Sequence, residues 1–364
     1  MDERGLAVEV AVLAVIASRL KRIRRGSTFA QARVWQTKDM ARIEDVLARG
    51  ASMLERRSDG IMSDMAKSSD EWAGAFYEAA GVLQTPVAED PFMAQTLRAG
   101  TARNRANVGN ICQTSVLRLV APDGRLVPIA EAYRRYVDSA ITAVFRSEKD
   151  YDQAIAKAVR ELSRTGLRVQ YASGITRELY AAVSGNVMDG FRGTMQEVRN
   201  QQAEQFGADG VEVSAHGMCA PDHLPYQGRQ FTRERFERIQ AKLERPIGHG
   251  MNCRHMVTGV ILGVSSKAYD KAERERLVEE SKRPTGIYDA KGRELTAYEF
   301  GQWQRAQETA MRKTEARRML ERKAGLSTLA TDSELESRLA NYRAASRRAG
   351  VETREERIRV YDWD

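Results

Sequence analysis

Proline is absent from the first 85 residues, and this absence restricts the fold more than any other feature of the sequence. Proline interrupts a helix because it lacks the backbone N–H and its ring clashes with the preceding turn. Residues 4–78 therefore predict successive helices, all of which precede the first proline, Pro86. Gly26, Gly50 and Gly60 are the predicted breaks, because glycine also disfavours the interior of a helix.

The N-terminal segment 5–17 is apolar except for Glu9, and a basic cluster follows it. The apolar run is shorter than the roughly 20 residues that a bilayer-spanning helix needs. Acidic residues precede the run, whereas a signal peptide begins with basic ones. We expect an amphipathic helix with a basic C-terminal end, in a chain that is neither secreted nor membrane-spanning.

Charged residues make up 30% of the chain and aromatic residues 7%, which favours long, partly exposed helices. The net charge of +8 suits an anionic partner such as nucleic acid. Basic and acidic residues are interleaved, however, which is equally typical of an ordinary solvated surface. Three cysteines form no disulfide framework and indicate a reducing compartment.

Short strands are predicted where apolar residues alternate or flank a turn. An Asp-Gly dipeptide between apolar residues predicts a hairpin at 117–126. Alternation predicts strands at 167–171 and 211–213, with a long helix at 175–206 between them. The sequence shows no obvious internal repeat.

The C-terminal part, from residue 296, predicts helices rich in Arg and Glu with a thin apolar stripe. Such helices are stable chiefly when they pack on a partner. We therefore expect the segment 302–359 to dock on another protein, and a chain that ends at Gly301 to keep a folded core.

These patterns together predict a mainly α protein with a small α+β core domain and long helices at both ends. Four segments are expected: an N-terminal helical region at 1–80, a loop-rich and helical connector at 81–160, an α+β core with the histidines and cysteines at 161–270, and a C-terminal helical arm at 271–364.

All four histidines and two of the three cysteines lie within residues 216–255, in two short segments. Thiolate and imidazole suit zinc, and structural zinc sites commonly take two ligands from each of two segments. Side chains two residues apart in extended chain share one face. The predicted ligands of a structural zinc are Cys219, His223, Cys253 and His255. Two further histidines, His216 and His249, would replace a ligand or hydrogen-bond to one.

A metal-free cluster of hydrogen bonds that joins two loops explains the same residues. The ligand spacings match no standard zinc finger or ribbon, so the metal-free interpretation is preferred at this point. A hydrolytic zinc site also needs a general base, and the nearest carboxylates, Asp222 and Glu212, lie in no recognised helix motif. We predict no catalytic residues and no enzymatic activity, and a structural zinc is the one cofactor that the sequence leaves open.

The string Asp222-His-Leu-Pro-Tyr-Gln-Gly-Arg-Gln-Phe231 and the later string Gly248-His-Gly-Met-Asn-Cys-Arg-His255 resemble the phage minor capsid protein 2 family. That family is similar to the wider MuF-like head morphogenesis proteins. The resemblance covers about residues 160–359. The positions that match the family pattern are His216, His223, Gln227, Gly228, Asn252, Cys253, Arg254 and His255.

The resemblance implies a structural minor head protein of a tailed phage that supports head assembly and DNA packaging or ejection. It implies the portal protein and other head proteins as partners, contact with packaged DNA, and no contact with a membrane during assembly. The protein would lie in the virion, in the capsid interior or at the portal vertex, and in the host cytoplasm during assembly.

Two other functions remain open. A metal-dependent nuclease or hydrolase would use the histidine and cysteine segments. A DNA-binding packaging accessory would gather the N-terminal arginines 19–25 and the C-terminal arginines on one face.

Overall fold

The computed structural model describes residues 1–23, 27–146, 148–248 and 253–360. This part of the chain forms ten α-helices: α1 Asp2–Lys21, α2 Phe29–Ala80, α3 Pro91–Ile111, α4 Ile129–Arg146, α5 Glu148–Thr165, α6 Leu179–Gln205, α7 Arg233–Gln240, α8 Lys271–Lys282, α9 Ala297–Ala324 and α10 Leu329–Ala349. It also forms nine short strands: β1 Leu117–Val120, β2 Leu126–Pro128, β3 Arg168–Gln170, β4 Thr176–Glu178, β5 Gly210–Val213, β6 Gln230–Thr232, β7 Val257–Val260, β8 Pro284–Tyr288 and β9 Glu294–Thr296.

The strands form three small antiparallel sheets within the described residues, in the orders β2-β1-β3-β4, β6-β5-β7 and β8-β9. The predicted fold class is confirmed: the protein is mainly α, with a small α+β part and long helices at both ends. The predicted hairpin forms as β1 and β2, and the two predicted strands form as β3 and β5.

The first helix lies at the centre of the main hydrophobic core. Its apolar residues occupy nearly every position, and Val8, Val12 and Ile16 are completely buried. It contacts α2, α4, α5, α6 and α9. The prediction of an amphipathic helix is therefore wrong, because a helix that is apolar all round is stable only inside the protein.

The second helix runs without a break for 52 residues, a length of about 78 Å. It passes through both Gly50 and Gly60, so the predicted breaks at these glycines are wrong. A single glycine costs about 1 kcal/mol in a helix, and packing of α2 on α1, α3, α4 and α6 offsets that cost. Its ends are encoded locally: Thr28 forms a capping box with Gln31, and Gly81 ends the helix in the left-handed conformation.

A hairpin followed directly by a helix occurs three times, as β1-β2-α4, β3-β4-α6 and β8-β9-α9. Each turn contains a glycine with positive φ, at Gly124, Gly174 and Gly292. In each turn the glycine N–H donates to the carbonyl three residues earlier, and the helix begins five residues after the glycine. The expectation of no internal repeat is therefore wrong at the level of structure. The repeated units share their turn geometry but few side chains.

One hydrophobic cluster joins residues from all four predicted segments, among them Leu6, Met93, Leu162 and Leu320. The predicted division into four segments stays a prediction. A second, smaller cluster lies on the sheet β6-β5-β7, where Val213, Phe231, Phe236, Ile247 and Val257 pack together.

Helix α9, in the C-terminal part of the chain, packs against α1, α5 and α10. Ala316, Leu320 and Ala324 belong to the main cluster, so the expectation of an arm without contacts on its own core is wrong for this helix. The apolar stripe is thin because α9 also buries paired polar groups. Glu308, 2% exposed, accepts from Tyr342 Oη at 2.9 Å.

Among the described residues, none of the helices combines the length and the apolar composition that a membrane-spanning helix needs.

Candidate functional site: the histidine and cysteine cluster

The sheet β6-β5-β7 holds the two segments that carry the histidines and cysteines side by side. Beyond the pairing of β5 with β7, Ser214 N donates to Met256 O at 2.9 Å. Ser214 Oγ accepts from Met256 N, also at 2.9 Å. The loop after β5 and the loop before β7 therefore leave the sheet at the same end.

The loop after β5 folds into consecutive turns, as its two prolines predict. His223 N donates to Ala220 O at 3.0 Å, and Gln227 N donates to His223 O at 3.3 Å. Gly228 then returns the chain to the sheet, where its N–H donates to Val213 O. Gly228 has a φ of +66°, a conformation that favours glycine and that gives this family-motif position a backbone role.

His223, Cys253 and His255 meet at this end of the sheet, with one potential ligand atom from each within 4.8 Å of the others. Cys253 Sγ lies 3.6 Å from His223 Nδ1 and 3.4 Å from His255 Nδ1. Both histidines are buried and Cys253 is half-buried. The prediction that Cys253 and His255 share one face is confirmed.

Both imidazoles present Nδ1 to the sulfur because an oxygen atom lies next to Nε2. His223 Nε2 is 2.7 Å from the carbonyl oxygen of Arg245. Since a carbonyl oxygen only accepts, His223 Nε2 carries a proton. His255 Nε2 is 3.5 Å from Gln227 Oε1, a longer contact of the same kind. The Nδ1 atoms are therefore the ones directed at Cys253.

The charge of the metal-free cluster follows from burial and these contacts. Burial raises the pKa of the Cys253 thiol, but hydrogen bonds with His223, His255 and Gly248 N–H outweigh it and lower the pKa to about 5. The bond with Cys253 raises the pKa of His223. Burial lowers the pKa of His216. At neutral pH the sulfur of Cys253 is therefore a thiolate, the form that binds metals and reacts as a nucleophile.

Cys219, the fourth predicted ligand, lies against the opposite nitrogen of His255. Its Sγ is 3.5 Å from His255 Nε2 and 3.3 Å from Ala220 O. Its backbone N–H donates to Ser281 Oγ at 3.0 Å. Burial raises the pKa of this thiol to about 12. The structure therefore brings together three of the four predicted ligands and leaves Cys219 as a neutral thiol beside them.

The other predicted residues surround this group. The ring centre of His216 is 4.5 Å from that of His255, and His216 N donates to Gln227 Oε1 at 3.2 Å. His216 Nε2 is buried and has no hydrogen-bond partner among the described residues. His249 and Asn252 lie outside the described residues.

A cavity of about 110 Å³ adjoins the cluster, which lines it together with Arg254 and with Tyr298 and Arg305 of α9. Burial, followed by repulsion from neighbouring arginines, lowers the pKa of both Arg254 and Arg305. The sequence analysis missed Tyr298 and Arg305, because no spacing or motif connects α9 with the two loops. The cavity suits water or a small anionic group.

The two carboxylates nearest in sequence are hydrogen-bonded to other groups, although Asp222 Oδ2 also lies 3.8 Å from His223 Nε2. Asp222 accepts from Arg245 Nε and Nη2 at 3.0 and 2.6 Å. Glu212 accepts from Gln230 Nε2 at 2.8 Å and from Ala268 N at 3.2 Å. Within the described part of the chain no carboxylate lines the cavity, so none is placed there as a general base.

One protein family matches this sequence over most of its length, in agreement with the single hydrophobic cluster that joins all four predicted segments. The profile of a family described as phage minor capsid protein 2 matches residues 7–348. Neither the curated proteins nor the solved structures contain a match. The family match extends from the central helix α1 to the end of α10 and includes the cluster. The chain therefore belongs to the phage minor capsid protein 2 family and is a structural protein of the phage head.

Proposed function

We propose that this protein is a structural component of the portal vertex, which acts by binding the portal protein and neighbouring head proteins. The family match over nearly the whole chain carries the proposal, because it describes a minor capsid protein. A closed symmetric shell repeats each general surface many times, so a protein that binds such a surface enters in many copies. The portal vertex occurs once in a head and accepts few copies.

Copy number is the test of this location. Quantitative mass spectrometry of heads purified with and without DNA measures the ratio of this protein to the portal protein and to the major capsid protein. We expect a few copies per particle, in a constant ratio to the portal. The proposal is contradicted if the copy number is close to that of the major capsid protein, or if the protein is absent from heads.

A role in DNA packaging or ejection is the second candidate, and an arginine cluster near the cavity favours it. Arg254, Arg305, Arg354 and Arg357 lie close enough to repel one another. Glu308 pairs with Arg354 at 3.0 Å and with Arg357 at 3.8 Å. Four guanidinium groups around one carboxylate leave a positive excess that suits phosphate.

The N-terminal arginines support this candidate less. Arg19 is bound to Asp39 at 2.6 Å, with its side chain 14% exposed. Arg24 and Arg25 lie outside the described residues. The proposed DNA contact is therefore tested at the arginine cluster of the preceding paragraph.

Salt-dependent DNA binding tests the second candidate. If Arg305 neutralises a phosphate, Arg305→Ala lowers the slope of log affinity against log salt by about 1. Arg33→Ala, at an exposed position of α2, is the matched control and keeps the slope. Equal slopes for the two variants and the wild type exclude the cluster as a DNA contact.

A further inference from the structure

We propose that this protein binds one Zn²⁺ through His223 Nδ1, Cys253 Sγ and His255 Nδ1, and that Cys219 is not a ligand. This inference goes beyond the proposed function, because the site does not depend on where the protein binds in the head. It rests on the spacing of the three ligand atoms, on the groups that orient them, and on the chemistry of the donor set.

The spacing of the three atoms is that of a zinc site. With Zn–S near 2.3 Å and Zn–N near 2.0–2.1 Å, sulfur and nitrogen ligands of a tetrahedral zinc lie about 3.5 Å apart. Cys253 Sγ is 3.6 Å from His223 Nδ1 and 3.4 Å from His255 Nδ1. The ligand atoms of the three residues all lie within 4.8 Å of one another, so the loops gather them around a common point.

The groups around the ligands have the arrangement that supports metal-bound histidine and thiolate. Histidine ligands commonly donate their second ring N–H to an oxygen, which fixes the ring. For His223 that oxygen is Arg245 O at 2.7 Å, and for His255 it is Gln227 Oε1 at 3.5 Å. Gly248 N–H donates to Cys253 Sγ at 3.4 Å, which stabilises the thiolate.

The donor set selects the class of metal. One thiolate and two imidazoles suit zinc, whereas magnesium and calcium require oxygen ligands. All three ligands line the cavity beside Arg254 and Arg305. A water molecule completes the coordination from that cavity, as in zinc sites with three protein ligands.

Cys219 is excluded as a zinc ligand because its sulfur faces the ring nitrogen of His255 that points away from Cys253. Its Sγ lies 3.5 Å from His255 Nε2, whereas Cys253 Sγ lies next to His255 Nδ1. One imidazole cannot direct both ring nitrogens at the same metal ion. Cys219 therefore packs behind His255 and does not coordinate the zinc.

Metal content and cobalt spectra test the site. Protein purified without chelator is expected to contain about one zinc per chain. Substitution of His223, Cys253 or His255 by Ala removes it. Cys219→Ala and Cys112→Ala, at two other buried cysteines, keep it. After exchange with Co²⁺, the thiolate-to-cobalt charge-transfer band keeps its full wild-type intensity in Cys219→Ala and is lost in Cys253→Ala.

Alkylation of the wild-type protein tests the same site without any variant that could misfold. Zinc protects Cys253 from iodoacetamide, and removal of zinc by a chelator exposes it to rapid modification that peptide mapping detects. An equal rate of Cys253 alkylation with and without zinc overturns the proposal, as does folded protein that takes up no zinc. A band in Cys219→Ala that is weaker than in the wild type, about half as intense, overturns the ligand assignment, because it means that two thiolates bind the metal.

Discussion

Glu9 of α1 accepts a hydrogen bond from the backbone N–H of Leu167 at 3.0 Å and thereby joins residues 158 positions apart. Its side chain is buried, and Oε2 has no hydrogen-bond partner among the described residues. Burial raises the pKa of this carboxyl group to about 8; the bond from Leu167 opposes the shift and the charge of Glu178 adds to it. Glu9 is therefore mostly protonated in the folded protein at neutral pH.

The first prediction is that Glu9 makes the folded state less stable as the pH rises. The pKa of a glutamate carboxyl group is ordinarily 4.5, whereas that of Glu9 in the folded protein is about 8. Between these values the folded chain keeps a proton that the unfolded chain releases. The contribution of Glu9 to the free energy of unfolding is therefore largest below pH 4.5. It falls by about 1.4 kcal/mol per pH unit between pH 4.5 and about pH 8.

Glu9→Gln isolates this contribution, because an amide does not titrate. Urea denaturation at pH 5 and pH 8 measures the free energy of unfolding of both proteins. The value for the variant minus that for the wild type is expected to rise by about 4 kcal/mol from pH 5 to pH 8. Glu44→Gln, on the exposed side of α2, is the matched control and shows no such gain. A constant difference between Glu9→Gln and the wild type shows that Glu9 is ionised when folded.

The second prediction concerns the close approach of α3 and α6, each of which places a glycine opposite a side chain of the other. A Cβ added at Gly100 would collide with Thr194, and a Cβ added at Gly190 would collide with Asn104. Gly100→Ala is therefore expected to destabilise the protein by about 1–3 kcal/mol, because the packed helices have to move apart.

Gly60→Ala provides the matched comparison within α2. Nothing lies within 4 Å of a Cβ added at Gly60, so alanine is expected to stabilise the protein by about 0.5–1 kcal/mol through its better helix propensity. Thermal denaturation of both variants measures the two effects. Shifts of the same sign contradict the assignment of Gly100 to close packing.

The sequence predicted those parts of the fold that depend on neighbouring residues. The hairpin of β1 and β2 and the strand β5 follow from alternation and an Asp-Gly turn, which act over a few positions. The continuity of α2 through Gly50 and Gly60 depends on four other helices, so no local signal could give it. The repeat of hairpin and helix is visible only in the structure, because the equal spacing runs from Gly124, Gly174 and Gly292 to helix starts that the structure defines.

The sequence also located the candidate site but not its geometry. The density of His and Cys in 216–255 is visible in the printed sequence, and it identified the residues that meet. The distinction between Cys253 and Cys219 depends on which nitrogen of His255 each sulfur faces. Orientation of a ring is set by groups such as Gln227 and Arg245, which no spacing rule connects to it.

The third prediction is that α9 is part of the core, contrary to the expectation that a chain ending at Gly301 stays folded. Leu320 is completely buried, whereas Leu329, just beyond the end of α9, is 79% exposed. Leu320→Ala is expected to cost about 2–5 kcal/mol, and Leu329→Ala to change stability by less than about 0.5 kcal/mol. Urea denaturation compares the two. Equal stability of the two variants would contradict the burial of α9, and a soluble, cooperatively unfolding chain that ends at Gly301 would do so independently.

The last prediction is that His255 stabilises the fold whether or not zinc is bound. Its ring centre lies 4.5 Å from that of His216 and 5.3 Å from that of His223. Its removal leaves buried polar groups such as Gln227 Oε1 with fewer partners. His255→Ala is therefore expected to cost about 2–4 kcal/mol. Val264→Ala, in the turn after β7, is 60% exposed and serves as the control, with an expected change within about 0.5 kcal/mol. The free energy of unfolding is measured with and without chelator for both variants. If His255→Ala and the wild type have the same free energy of unfolding both with and without chelator, the cluster does not hold the two loops together.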